Sequence, residues 1–334
     1  MASSPKLVTV FGATGNQGGS VAQSLLRNKS TFRVRAITRN PESEKALALA
    51  AAGAEVVKAD GFKKDELVKA FEGSWAVFVN TNTDDPIFDE PNGPTEVDLG
   101  RIIVDAANTV GVEQFVYSSA GSVSEITKGE MKLDMMDHKY AIEQLARSSP
   151  NIKTVTAVYA AWYFENFAVP FLSELWGGFP FQADSEEYLT LCLPRPGGED
   201  KVPYIAIEED FGDLVHGVLL NPEKYGGKEI QATSQLLTYP EIIEAFQKVT
   251  GKKARYVLLS DWKDFPTMGV RSLENIKLML GFMQWCEGRY YRNLEFDEQT
   301  AKDLKKSVED SVGSSGSLVT ADQFFAKIFG AGNN

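Results

Sequence analysis

Gly12, Gly15 and Gly18 stand in the stretch LVTVFGATGNQGGS, between an apolar run at 7–11 and residues with a helical apolar face, Val21, Leu25 and Leu26. Glycines at a strand-to-helix junction suit one chemistry in particular, the binding of a pyrophosphate. Gly12 permits a tight turn out of the strand, Gly15 lets the backbone approach the anion, and Gly18 lets the helix lie close to the strand. The free N–H groups and the dipole of the helix N-terminus then face the negative charge. Arg39 follows a second strand pattern, FRVRAIT, 21 residues beyond Gly18. An acid at that place bonds a ribose 2′-hydroxyl, whereas an arginine suits a 2′-phosphate. The expected cofactor is therefore NADP(H), and the plain alternative is a solvated arginine.

Lys139 is the next residue with chemistry to offer. It shares a helical face with Met135, Ile142 and Ala146, and a lysine on an apolar face is costly unless something compensates its charge. Either it serves a site, bonding a nicotinamide ribose or acting as an acid with a lowered pKa, or it is a surface lysine paired with Glu143 at i+4. Tyr140 is adjacent in sequence but turned by about 100° around the helix. Tyr163 is the better spare hydroxyl, with aromatic packing as its other role.

The elements that must position these groups are legible from periodicity. Strand patterns fall near 7–11, 32–38, 54–58, 75–80, 112–118 and 153–159, and helical patterns near 15–27, 41–52, 63–72, 95–110 and 130–148. Leu99, Ile102, Ile103, Ala106, Ala107 and Val110 form one stripe, and Gly111 sits where that helix would end. Strand and helix in alternation imply α/β architecture: a doubly wound parallel sheet with ligands at the carboxyl ends of its strands. Beyond about residue 160 the pattern loosens. Tyr159, Trp162, Tyr163, Phe164, Phe167, Phe171, Trp176, Phe179 and Phe181 crowd one span, either lining a substrate cleft or filling a second core. Strand patterns follow at 188–193, 203–207 and 228–232. Thr238 with Glu241 and Thr320 with Gln323 have the spacing of capped helix starts, and SVGSSGS at 311–317 reads as a flexible connector. The expected division is 1–160 for the cofactor domain and 161–334 for a smaller lobe interwoven with the sheet.

Composition excludes several classes. The formal net charge of −12, from 46 acidic and 34 basic residues, disfavours direct nucleic-acid binding. The two histidines, His138 and His216, and the two distant cysteines, Cys192 and Cys286, offer no metal cluster and no disulfide framework. No GxSxG elbow is present, so a Ser-His-Asp hydrolase is excluded. The start MASSPKL has no secretory pattern, and the longest apolar stretch, 157–164, is too short for a bilayer. A cytoplasmic protein is expected.

Taken together, VFGATGNQGGSVAQSLL, the arginine-bearing ITRNP and YFENF at 163–167 resemble the NmrA-like family, atypical members of the short-chain dehydrogenase/reductase superfamily. The likeness covers roughly residues 5 to 330. It implies a Rossmann domain binding NADP(H) and a small C-terminal α+β lobe over the cleft. Cofactor contacts carry over to Gly12, Thr14, Gly15, Asn16, Gln17 and Gly18, to Arg39, to Asp60 and Gly61 beside adenine, and to Asn80 and Thr81 beside the pyrophosphate and nicotinamide ribose. Tyr163 and Asn166 of YFENF complete the set. Lys139 matches the superfamily lysine, but the tyrosine expected one turn earlier is Met135. Ser118, with Ser119 after it, takes the place from which a hydroxyl polarises a substrate carbonyl; the other reading is two serines that end a strand. Two occupations follow for such a chain: a reductase of a small or medium organic substrate using Lys139, Ser118 and Tyr163, or a silent NADP(H) sensor that acts on a regulatory protein partner in cytoplasm or nucleus. Under either, Gly15→Val is expected to abolish cofactor binding with circular dichroism unchanged; normal NADPH affinity in that variant would place the phosphates elsewhere.

Overall fold

The computed structural model describes residues 4–292, 294–313 and 316–330. Its first half alternates strand and helix: β1 (Lys6–Phe11), α1 (Asn16–Leu26), β2 (Phe32–Thr38), α2 (Glu44–Ala52), β3 (Glu55–Lys58), α3 (Lys64–Phe71), β4 (Ala76–Val79), α4 (Glu96–Val110), β5 (Gln114–Ser119), α5 (Val123–Ile126), α6 (Asp134–Arg147) and β6 (Thr154–Ala160). The second half contains β7 (Trp162–Tyr163), α7 (Pro170–Leu175), β8 (Leu189–Leu193), β9 (Val202–Ile205), α8 (Gly212–Leu220), α9 (Pro222–Tyr225), β10 (Glu229–Ala232), β11 (Gln235–Leu237), α10 (Tyr239–Thr250), β12 (Ala254–Leu258), α11 (Arg271–Trp285), α12 (Glu298–Val312) and α13 (Ala321–Phe329).

Seven strands form one parallel sheet in the order β10-β6-β5-β4-β1-β2-β3. β1 and β4 are apolar runs buried on both faces by helices, which is why they do not alternate. The chain winds outward from β1 toward β3 and then returns to lay β4 on its other side. That reversal opens a crevice between the carboxyl ends of β1 and β4. Two small sheets lie outside it, β11-β9-β7 and β12-β8.

α4 begins in a capping box of Thr95 and Asp98 and ends at Gly111, whose φ of +74° is left-handed. Its Gly100 has no room for a side chain, since a Cβ there would lie 2.3 Å from Ile142 Cγ1 of α6. α4 and α6 are thus pressed together, which sets Glu96 and Lys139 within reach. α6 starts at Asp134 rather than 130, because the Asp137 carboxylate accepts from Leu133 N and from the N–H and hydroxyl of Ser124, tying the preceding turn α5 to it. The connector expected at 311–317 is shorter than its composition suggests: Ser311 and Val312 finish α12, and Gly313 caps it. Ser314 and Ser315 lie outside the described residues.

The aromatic span divides between both of its readings. Tyr159 joins the core under the main sheet, while Phe164, Phe167, Trp176 and Phe179 build a second core with Tyr204, Phe246, Phe324 and Phe325. Phe164 stacks on Tyr204 at 5.1 Å between centroids, and Phe179 meets Phe246 edge-on at 4.9 Å. Trp162 and Tyr163 turn toward the crevice, and Phe171 and Phe181 are exposed. Among the described residues no helix is long and apolar enough to cross a membrane, and no three His, Cys, Asp or Glu side chains are grouped to hold a metal ion.

α1, which carries the glycines, is fastened from behind by a buried polar cluster. Ser24 donates to Asp213 at 2.5 Å, and Lys305 of α12 reaches Asp213 at 2.8 Å and Asp210 at 2.9 Å. Because Ser24 gives its proton to Asp213, His216 Nδ1, 3.0 Å away, must carry the hydrogen and donate it to Ser24. Burial of this neutral ring depresses its pKa from 6.5 to about 4. The unfolded chain therefore binds the extra proton first, and stability present above pH 6.5 is lost on acidification toward pH 4. Between pH 7 and 5 the loss from this group is about 2 kcal/mol. Denaturant unfolding at the two pH values is expected to show that loss, and His216→Gln to flatten it.

Candidate functional site

The turn after β1 is built of backbone in close contact. Gly12 has φ +73°, and a Cβ on it would stand 3.2 Å from the Asn80 carbonyl at the end of β4. A Cβ on Gly18 would lie 2.2 Å from the Gly12 carbonyl, so α1 can seat against the turn only through glycine. Gly15 caps α1 from an extended conformation, its N–H donating to Gly12 O at 2.9 Å. The first turn of α1 holds no acidic residue, which leaves its N–H groups and positive dipole end open to an anion. Gln17 adds an unmet polar atom: Nε2 donates to the Tyr163 hydroxyl at 2.6 Å, while Oε1 is buried without a partner. A glycine cradle, a helix start free of acids and an unpartnered amide atom fit a dinucleotide phosphate and its ribose.

A cleft of about 1100 Å³ runs along the carboxyl ends of the strands. Arg39, Asp60 and Gly61 border one end; Gly12, Thr14, Gly15, Asn16 and Gln17 form its middle with Asn80 and Thr81; Ser118, Lys139, Tyr163 and Asn166 border the other. The residues expected from the sequence are thus gathered in one place, with one correction. Gly18 does not line the cleft, because its Cα faces the Gly12 carbonyl; it acts through packing.

Lys139 has a partner that local sequence did not show. Its Nζ donates to Thr81 O at 2.8 Å, to Thr81 Oγ1 at 3.2 Å and to Glu96 Oε1 at 2.8 Å. Glu96 is 2% exposed and Lys139 15%. Glu143, the surface alternative, instead pairs with Arg147 at 2.7 Å. Glu96 also accepts from Thr81 Oγ1 at 2.5 Å and from Thr83 at 3.0 Å, so one carboxylate gathers the segment after β4 and the lysine of α6. Tyr117 lies 3.1 Å from Thr81 Oγ1, and burial together with the Glu96 charge holds its phenol well above the ordinary value. Met135 lines the cleft at the position where the resemblance implies a tyrosine.

Tyr163 has a different environment. Burial pushes its phenol up to about 12, so the hydroxyl keeps its proton at neutral pH. Since Gln17 donates to its oxygen, that proton is free to point into the cleft. The surrounding wall is apolar and sulfur-rich: Met135, Met136, Met279, Trp162 and Tyr290. Tyr290 and Trp162 hold Met279 and Met283 of α11 through O–H and N–H contacts to sulfur, at 3.7 and 3.2 Å. Sequence reasoning missed α11 altogether, although its IKLMLGFM run carries a helical apolar pattern. At the far end Arg39 pairs with Asp85 at 3.2 Å.

The NmrA-like family model matches residues 4–316. A fungal relative, the NmrA-like family domain-containing oxidoreductase FrzB of a Cladobotryum species, is 47% identical over 92% of both chains. The oxidoreductase hkm9 of Aspergillus hancockii is 46% identical over 98% of both. Among solved structures, NmrA, a negative transcriptional regulator, in complex with NADP superposes with a TM-score of 0.73 at 20% identity, covering 98% of this chain and 96% of that one. The Escherichia coli NADPH-dependent quinone oxidoreductase QOR2 with NADPH gives a TM-score of 0.67 at 20% identity, over 96% and 99%. The fold is therefore shared along nearly the whole length, and the chain belongs to the NmrA-like family.

Proposed function

We propose that this protein is an NADP(H)-dependent oxidoreductase that reduces a small or medium organic acceptor of carbonyl, enone, imine or quinone type. The observation that carries this reading is the continuity of the cleft. At about 1100 Å³ it exceeds a typical single-ligand pocket, roughly 300–1,000 Å³, and it passes from a phosphate cradle to an apolar chamber. The fungal relatives are named oxidoreductases, which supports the same reading.

In this assignment the α1 N-terminus with Gly12, Thr14, Gly15, Asn16 and Gln17 holds the pyrophosphate, Arg39 the 2′-phosphate, Asp60 and Gly61 the adenine side, and Asn80, Thr81 and Asn166 the nicotinamide side. The bound cofactor supplies a hydride. Met135, Met279 and Trp162 exclude water from the acceptor and offer it an apolar face. Ser118 and Tyr163 offer hydroxyls, and Tyr163 Oη carries a proton that Gln17 leaves unengaged. With its three N–H bonds directed to Thr81 and Glu96, Lys139 fixes the segment 80–83 and must exchange one of those bonds to touch ribose or acceptor. Met135 cannot donate a proton, so acceptors that demand a strong acid at that position are poor substrates.

Titration calorimetry is expected to show preference for NADPH over NADH, erased in Arg39→Ala; equal affinity in the unmodified protein would count against the cofactor assignment. NADPH oxidation should be detectable against a panel of quinones, enones, imines and aldehydes. Lys139→Met is expected to lower that turnover by roughly 10²-fold with a modest change in NADPH affinity. Met135→Tyr should raise carbonyl reduction. If nothing in the panel turns over and Lys139→Met weakens NADPH binding instead, the protein is a sensor. Glu96→Gln, which leaves Lys139 without its counter-charge, is expected to cost on the order of 3 kcal/mol in denaturant unfolding, and Lys139→Met to recover part of it in the double variant.

A further inference from the structure

Arg39 does not wait alone at the adenosine end of the cleft. Asp85 Oδ2 lies 3.2 Å from its guanidinium, and both residues border the same space. The two partners are unequally held: Arg39 is 73% exposed on its side chain and Asp85 18%. Asp85 Oδ1 accepts from Ile87 N at 3.2 Å and so caps the short helical turn Pro86–Asp89. The segment that carries it is anchored on both flanks. Thr83 donates to the buried Glu96, its carbonyl accepts from Arg271 of α11 at 3.1 Å, and Asp89 also pairs with Arg271. Arg39 can swing; Asp85 is fixed in place.

From this we infer that Asp85 is a specificity-determining residue that competes with the 2′-phosphate of the cofactor for Arg39. The inference rests on the assignment of that phosphate to Arg39. A phosphate dianion and the Asp85 carboxylate cannot both be neutralised by one guanidinium, and at this distance their mutual repulsion opposes the gain from the new bond. NADH, which has a hydroxyl at the same place, meets no such repulsion and offers a donor that a carboxylate can accept. The ratio of NADPH to NADH affinity is therefore set by the pair and is smaller than Arg39 alone would produce. Glu44, Lys45 and Asp60 border the same end, and their charges are common to every variant compared.

The test is direct cofactor binding, measured by calorimetry with NADPH and NADH on the full chain. Asp85→Asn removes the charge and keeps a side-chain oxygen able to cap the turn, since asparagine caps as well as aspartate. NADPH affinity is expected to rise roughly three- to fivefold, the range of an exposed ion pair, with NADH affinity unchanged or lower. A ratio that stays the same or falls overturns the proposal. In an Arg39→Ala background the gain from Asp85→Asn should shrink to what the direct repulsion between the carboxylate and the phosphate leaves; a gain of full size there shows that Asp85 acts without Arg39 and overturns the competition. The two assignments fail differently. If Arg39→Ala alone leaves the ratio unmoved, the 2′-phosphate is not on Arg39 and both fall, whereas a ratio that responds to Arg39→Ala and not to Asp85→Asn removes only the role of Asp85.

Discussion

Everything at the cleft depends on how closely α1 approaches the turn that precedes it. The Gly12 carbonyl sits where a Gly18 side chain would begin, and the Asn80 carbonyl sits just beyond Gly12. Three backbone segments therefore meet with no side chain between them. That contact aims the helix N-terminus into the crevice between β1 and β4, and it leaves the N–H groups of the first turn facing the space beyond the carboxyl ends of these strands. The buried cluster of Ser24, Asp213, His216 and Lys305 holds the same helix from its far side. The glycine turn is thus held in place by packing on both faces of one helix.

The second constraint is electrostatic. A buried carboxylate is costly unless it is paired and hydrogen-bonded, and Glu96 meets both conditions through Thr81, Thr83 and Lys139. Its partners come from the segment after β4 and from α6, so removing its burial cost and holding the floor of the cleft are one event. This also alters what a retained lysine means. No tyrosine stands one turn before Lys139, and the lysine's bonds serve the backbone of Thr81. Under the proposed function, chemistry at this end would fall to hydroxyls in apolar surroundings, with Tyr163 kept protonated by burial.

How much of this was legible beforehand follows from the range of the interactions. The six alternating strands and the glycine turn are local patterns, and periodicity placed them within a few residues. Thr95 with Asp98, Thr238 with Glu241 and Thr320 with Gln323 are local too, and two of these boxes were read in advance. The Glu96–Lys139 pair spans 43 residues and the Arg39–Asp85 pair joins two different loops; neither leaves a periodic trace. The lysine on an apolar face signalled that a partner had to exist without saying which. The aromatic span was undecidable by composition because rings serve cores and clefts alike, and here Trp162 and Phe164, two positions apart, do each. α6 began late because a side chain, Asp137, captured the N–H groups ahead of it.

The last strand of the sheet has a consequence for how the protein is made. β10 pairs with β6 along Glu229–Ala232 and is the outermost strand on that side of the sheet. Roughly 70 residues separate the end of β6 from the start of β10, and chains emerge from the ribosome N-terminus first. For the time those residues take to be synthesised, six strands can assemble while β6 presents an unpaired row of N–H and C=O groups flanked by apolar side chains. A nascent chain in that condition is a template for strand addition by its neighbours on a polysome. The longer the segment from β7 to β10 takes to arrive, the longer β6 stays open to such pairing before β10 covers it.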